Sequence, residues 1–343
     1  VSAAPSPLKA AEANLALDDG ALFARADAAC RAVHGEKVFL RGLIEATNVC
    51  TRNCLYCGIR RGNERVARYR LSDAEILAAA RAGFARGLRS FVIQGGEDPE
   101  FGAERLAGLV SALREETGGE AAVTLSFGTM ARADYALLKS AGCDRYLLRF
   151  ETSDPLLHER LRGSSLAQRL AALEDLRSLG FEVGSGFMTG LPGATAATLA
   201  ADVTLCAELG LDMVGIGPFI PHPGTPLGVS EGRGLEPCLR ACAAVRLALP
   251  GANMPATTAA GSVAPDGRER MLAAGANVLM PNIGPTGNKR DYELYPGKVC
   301  LDEDGLACIG CLDLRVKTVG KLLDFSRGDS AASLARRAKK DRI

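Results

Sequence analysis

The chain has 343 residues, 47% of them hydrophobic, and a formal net charge of +1. That is apolar content enough for one large barrel or two ordinary domains, and the near-neutral charge gives no electrostatic reason to expect nucleic acid or an anionic membrane as a partner. No apolar run reaches spanning length, and the Ala/Pro/Ser-rich start lacks the basic-then-apolar order of a signal peptide, so a soluble, cytoplasmic protein is expected.

Residues 1–36 read as an N-terminal helical cap. Short β-like runs then follow at Val38–Glu45, Ser90–Gln94, Ala122–Ser126, Arg145–Phe150, Glu182–Phe187, Met213–Ile216, Asn253–Thr257 and Asn277–Met280. Between them lie amphipathic stretches at Asp73–Arg86, Glu104–Glu116, Ala133–Ser140, Leu166–Leu179, Ala196–Leu209, Pro237–Leu249 and Gly267–Ala273. Ser72, Thr195 and Asp266 stand where helices need a cap, and Gly87, Gly142, Gly180, Gly210 and Gly275 stand where they stop. Eight β/α units predict a complete (β/α)8 barrel over residues 37–284. A doubly wound sheet would show the same alternation. The polar clusters favour the barrel, because they fall after the runs, where barrel enzymes build their sites. Residues 285–343 read as a C-terminal extension folded over it.

Eleven cysteines are many for this length, and six of them form two tight clusters. That pattern suits metal or iron–sulfur binding in a reducing compartment better than a disulfide framework. Cys50, Cys54 and Cys57 are spaced C-x3-C-x2-C. Three thiolates can hold three irons of a 4Fe-4S cube and leave the fourth iron open. Zinc is the bland alternative, but its motifs usually bring four ligands as two separated pairs.

Further along, Gly95, Gly96 and Glu97 follow the second run, where glycines let the backbone approach a ligand and the carboxylate can face an ammonium. Arg149 and Glu151 close the fourth run on one face, and Arg169 on the next helix can meet a carboxylate. Thr257 and Thr258 end the seventh run with two hydroxyls suited to a small anion. Tyr292 and Tyr295 can close the mouth or pin the extension down. Cys300, Cys308 and Cys311 form C-x7-C-x2-C, three ligands where a 2Fe-2S rhomb wants four. Cys30, Cys143, Cys206, Cys238 and Cys242 read as buried small apolar residues. Arg60, Arg61, Arg65, Arg68 and Arg70 read as a mostly solvated basic run.

The cysteine loop and the GGE segment resemble those of the radical S-adenosylmethionine (SAM) enzymes. Segments along nearly the whole chain are similar to the HydE maturases of FeFe-hydrogenase: NVCTRNCLYCGIRR at 48–61, QGGEDP at 94–99, DRYLLRFET at 144–152, DMVGIGPFIPHP at 212–223, PATTA at 255–259 and LYPGK at 294–298. The resemblance implies a barrel with a long internal cavity. Cys50, Cys54 and Cys57 would hold the SAM-cleaving 4Fe-4S cluster. Glu151 and Arg169 would bind the amino and carboxylate ends of SAM beside Gly95, Gly96 and Glu97. Thr257 and Thr258 would bind a carboxylate inside the barrel, with Tyr292 and Tyr295 near the SAM end. Arg149 is added to the substrate contacts from its position. The C-terminal trio would hold a second cluster, 2Fe-2S or 4Fe-4S, that varies within the family.

The implied role is assembly of the di-iron subcluster of the hydrogenase. A 5′-deoxyadenosyl radical would attack sulfur on a cysteine-bound iron carbonyl-cyanide precursor, an organometallic substrate. Implied partners are other hydrogenase maturases and a reductant such as ferredoxin or flavodoxin. Two departures stand out: Leu125–Thr129 lacks the glutamate many relatives carry, and Gly193–Thr195 has Ala194 where they have glutamine. Methylornithine synthase and biotin synthase share the first cysteine motif, and a non-catalytic cluster scaffold is the reading from a different class.

Overall fold

The computed structural model describes residues 6–340. Nine strands run β1 Lys37–Leu40, β2 Gly42–Thr47, β3 Ser90–Gly95, β4 Ala122–Ser126, β5 Arg145–Leu147, β6 Glu182–Thr189, β7 Met213–Pro218, β8 Val278–Leu279 and β9 Leu322–Asp324. The first helices are α1 Pro7–Leu15, α2 Asp19–His34, α3 Asp73–Ala85, α4 Ala103–Glu116, α5 Arg132–Ser140, α6 Pro155–Arg162 and α7 Leu166–Ser178. They are followed by α8 Ala196–Glu208, α9 Glu236–Ala248, α10 Thr258–Val263, α11 Gly267–Ala273, α12 Ile309–Lys317 and α13 Ala331–Lys340. Each of the seven helical stretches read from the sequence is present with its ends moved by at most a residue or so, as capping chemistry at Ser72, Ser165 and Thr195 requires.

Strands β2 to β7 form one parallel sheet in sequential order. Three isolated parallel bridges carry the pairing onward: Met213 to Asn253, Pro255 to Val278, and Asn282 to Leu43 on β2. A second sheet, in the order β8-β1-β9, brings the C-terminal segment against the first strand.

Three of the expected runs need correction. The first is two strands, because Arg41 breaks it: its side chain is 3% exposed and turns to Met213 Sδ and Gly328 O, both at 3.1 Å. The fourth stops at Leu147, short of Phe150. The seventh has bridges at Asn253 and Pro255 but no continuous ladder, since Pro255 has no N–H to donate.

Both faces of the sheet are covered, so its strands are largely buried, with Phe91, Ile93, Val123, Leu125, Val183, Val214 and Ile216 forming the apolar part and Glu45, Arg145 and Glu182 as buried charges at the strand ends or lumen. Gly215 and Gly217 on β7 line an interior cavity of about 350 Å³, where bulky branched residues would have filled a packed core. α1 and α2 pack on α8 and α9 at the sheet's flank.

The extension serves both ends of the sheet. Its first part lies on the cysteine loop, where Gly58 N–H donates to Leu294 O at 2.9 Å. Its last part crosses to the start of the strands. There Arg145, fully buried, donates to Glu182 at 2.8 Å, to Ser90 at 2.9 Å and to Arg327 O at 2.8 Å, and pairs with Asp329.

Candidate active site

Of the sequence-predicted site residues, the first cysteine trio, Gly95, Gly96, Glu97, Arg149, Glu151, Arg169, Thr257, Thr258, Tyr292 and Tyr295 all line the one 350 Å³ cavity. The C-terminal trio does not.

The cysteine loop follows β2 and is tied on several sides. Thr51 N–H donates to Glu97 O at 2.9 Å, Glu97 N–H points at Cys50 Sγ at 3.4 Å, and Leu55 N–H donates to Leu161 O at 2.9 Å. Arg68 stitches four carbonyls around it, Asn48, Ile59, Arg60 and Asn63, at 2.7–3.2 Å. Arg70 makes a bidentate pair with Asp98 at 2.7 and 3.1 Å. Arg68 and Arg70 therefore tie the loop together while remaining exposed, as are Arg61 and Arg65, so the run is mostly solvated as expected. The two glycines of the GGE turn also have a packing reason beside the expected one. A Cβ on Gly96 would lie 2.1 Å from Val49 O, and one on Gly95 2.7 Å from the Phe127 ring. Gly96 permits close approach of the turn to the cysteine loop and Gly95 close packing on Phe127, and both line the cavity.

Burial pushes the Cys50 thiol up and the Cys57 thiol up to about 12. Thiolates here would need a strong local cation such as iron. Among the described residues no three His, Cys, Asp or Glu side chains form a group that could hold a single metal ion, and this covers both trios. A cubic cluster asks for something else, one thiolate on each of three irons.

Beside the thiols, two carboxylates meet four guanidinium groups. Arg149 lies 3.1 Å and Arg162 3.6 Å from Glu151, while Arg162, Arg52 and Arg169 lie 3.4, 3.8 and 3.9 Å from Glu97. The Arg149 pair is off hydrogen-bond geometry, so Glu151 Oε2 and Arg149 Nε are buried without hydrogen-bond partners. Burial opposes charge on Arg162, but Tyr56, Cys54, Glu151 and Glu97 around it hold the guanidinium protonated above its ordinary range. Arg169 is 5% exposed, which removes the solvated-arginine alternative. An acidic oxygen without a partner next to surplus guanidinium suits a zwitterionic amino-acid head group.

Deeper in the cavity, Thr257 caps α10 and its hydroxyl turns to Met271 Sδ at 3.7 Å. The Thr258 hydroxyl has no hydrogen-bond partner among the described residues. Glu45 on β2 is 5% exposed and receives Lys298 Nζ at 2.6 and 2.7 Å. Sequence reasoning missed Glu45, Lys298, Tyr56 and Arg162. The last was findable: Asp154 as cap, Pro155 in the first turn and left-handed Gly163 mark α6 plainly.

The second trio sits closer to the cavity than an outlying extension suggests. Cys300 and Cys308 line a small side pocket whose walls Leu43, Thr258, Met280 and Lys298 also line the main cavity. Cys300 and Cys311 are exposed. Cys30, Cys143, Cys206, Cys238 and Cys242 are buried among apolar residues, as expected.

The Radical SAM superfamily profile matches residues 44–206. The chain is 44% identical over 302 residues to the FeFe-hydrogenase maturase subunit HydE of Thermotoga maritima, covering 88% of this chain and 86% of that protein. It is 30% identical over 258 residues to 3-methylornithine synthase of Methanosarcina acetivorans, covering 74% and 72%. In fold it superimposes on crystalline methylornithine synthase PylB with a TM-score of 0.79 at 25% identity, over 92% of this chain and 93% of that one. It matches the maturase HydG with the same TM-score of 0.79 at 18% identity, over 98% of this chain and 77% of that one, which bears on fold alone. No helix among the described residues is long and apolar enough to cross a membrane. With its thiol trio, its carboxylate–guanidinium cradle and the extent of its identity to the Thermotoga protein, the chain belongs to the HydE family of FeFe-hydrogenase maturases and is a radical SAM enzyme.

Proposed function

We propose that the enzyme acts in building the di-iron subcluster of FeFe-hydrogenase, on a cysteine-bound iron carbonyl-cyanide precursor. Family membership implies a 4Fe-4S cluster and SAM, and Cys50, Cys54 and Cys57 are the residues proposed to hold the cluster. When bound and reduced, that cluster supplies the electron that splits SAM into methionine and a 5′-deoxyadenosyl radical. The chain's own work is to orient and to seal. Glu151 accepts from the SAM ammonium, Arg149, Arg162 and Arg169 face its carboxylate, and Thr258 with Thr257 receives the carboxylate of the substrate at the far end. Tyr292 and Tyr295 close the wall between.

One observation carries this reading: a single cavity is lined by the thiols and by the threonines, so a radical generated at one end can meet a substrate held at the other within one site. We take the sheet to close as a complete (β/α)8 barrel over residues 37–284, with residues 1–36 as cap and 285–343 as extension. Residues 1–5 and 341–343 of those spans lie outside the described residues. The three isolated bridges beyond β7 support closure. The C-terminal trio is read as a second cluster site, and a low-potential carrier such as ferredoxin or flavodoxin as electron donor.

The first test is anaerobic reconstitution with iron and sulfide, then dithionite and SAM. 5′-Deoxyadenosine is expected, and its absence from protein with a full cluster overturns the enzymatic role. The second is in vitro maturation of an apo FeFe-hydrogenase. SAM cleavage with no gain in hydrogenase activity, but with turnover of free lysine, would move the chain to the methylornithine synthase chemistry.

A further inference from the structure

Glu151 is one of two non-glycine residues at positive φ among the described residues, at +67°. Thr152 N–H donates back to Phe150 O at 2.8 Å across it. Glu151 is therefore the centre of a positive-φ γ-turn, a rare and strained conformation that persists only where the surroundings over-determine it. The turn projects the carboxylate into the cavity, and nothing in SAM can hold the backbone behind it.

Two buried polar side chains outside the cavity do so. His158 on α6 is fully buried, and its Nδ1 lies 2.7 Å from Phe150 O. A carbonyl only accepts, so Nδ1 carries the proton, and burial, the chief cause, lowers the imidazole pKa and keeps the ring neutral. Phe150 O thus takes two donors, one from each side of the turn. Asp202 on α8 is 3% exposed and accepts from Ser153 N–H at 2.5 Å. On the sheet side, Glu151 N–H donates to Gly186 O at 2.9 Å and Met188 N–H to Glu151 O at 3.0 Å. The four residues Phe150–Ser153 are gripped from β6, α6 and α8 at once.

We propose that His158 and Asp202 are positioning residues that fix the strained turn and so set the affinity for SAM, a role that rests on Glu151 binding the SAM ammonium. Neither touches the cavity. Their effect reaches SAM through the aim of one carboxylate, so it appears in substrate affinity and leaves the electron-transfer step alone. The acceptor role of Asp202 does not require charge: burial, its largest cause, pushes that carboxyl up to about 7, and a carboxamide oxygen accepts the same N–H.

The test uses cluster-reconstituted enzyme and reads KM and kcat for 5′-deoxyadenosine formation, iron content and thermal midpoint. His158→Leu and Asp202→Ala are expected to raise KM for SAM roughly tenfold, the loss of one hydrogen bond's worth of aim, with kcat within about twofold and iron unchanged. His158→Asn, which keeps a donor near Nδ1, and Asp202→Asn should keep KM within about twofold. Where His158→Leu does not fold, His158→Gln decides, since its amide reaches past the Phe150 carbonyl, and the same rise in KM is expected. Wild-type KM in the folded Leu, Gln and Ala variants overturns the proposal. So does an equal loss in the Asn variants, which would mark both sites as packing only. Glu151→Gln separates the two levels: if it binds SAM as tightly as wild type, the ammonium contact is wrong and the positioning role falls with it.

Discussion

Thr257 and Thr258 are adjacent in sequence but hydrogen-bonded differently. Both line the main cavity, but the Thr257 hydroxyl also caps the start of α10, whereas Thr258 opens to the pocket under Cys300 as well. Thr257→Val should cost about 1 kcal/mol of stability through the lost cap, seen as a lower thermal midpoint. Thr258→Val should lower hydrogenase maturation roughly tenfold while substrate-free SAM cleavage persists, because a hydroxyl contact to a charged group is worth about 1.5–3 kcal/mol. If only Thr257→Val impairs maturation, the carboxylate binds at the other hydroxyl. At the cysteine loop the effect is larger: Cys50→Ala, Cys54→Ala or Cys57→Ala should each abolish 5′-deoxyadenosine formation, since two thiolates leave two irons of a cube without a protein ligand. These residues were legible because their chemistry lies in local spacing. Arg162 was legible only as a residue of a well-marked helix: its partners Glu97, Tyr56 and Glu151 come from three other segments, and only folding brings them together.

At the scale of elements, local signals predicted what local forces decide. Helices with caps were placed almost to the residue. The run 253–257 has strand-like residues, yet Pro255 denies it a ladder and α10 begins directly after it. The first run looked continuous because nothing in one strand's sequence says that Arg41 will be drawn to the segment carrying Gly328. The same non-local logic governs the strap after Lys298. Cys308→Ser with Cys311→Ser should lose iron and keep SAM cleavage, as the second trio lies outside the main cavity; collapse of cleavage would make that site catalytic. The end of α2 carries a pH dependence. His34 packs its Nε2 3.2 Å from Pro250 O beside Arg246, and burial, ahead of that charge, pushes its pKa down to about 4 from an ordinary 6.5. A depressed folded-state pKa contributes stability that is present above about 6.5 and lost as pH falls through about 4. Urea midpoints should therefore drop between pH 7 and pH 4.5 in wild type, and less in His34→Gln. Equal drops in both would assign the acid sensitivity elsewhere.

Across the whole molecule, the two ends of the sheet have separate tasks. The cysteine loop, the GGE turn and Glu151 follow the strands, where barrel enzymes keep their chemistry, and the opposite end holds an ion network that the C-terminal segment completes. Arg145 is its centre, fully buried, with Glu182 beside it fully buried as well. Arg336 and Arg337 reach in from α13 to Asp212 and Glu182, but they are 43% and 46% exposed. Burial decides their relative weight. Removing one member of a buried pair leaves an uncompensated charge and costs about 3–5 kcal/mol, whereas loss of a half-exposed arginine leaves Asp212 with Arg177 and Glu182 with Arg145 and costs about 0–1 kcal/mol. Arg145→Met should thus lower the unfolding free energy by several times more than Arg336→Ala or Arg337→Ala, measured by denaturant titration. Well below its melting temperature, the folded Arg145→Met protein should retain wild-type KM for SAM, because no strand-start residue lines the cavity near Glu151. A raised KM with unchanged stability would reverse both assignments and show that the C-terminal segment acts on the site through the length of the strands.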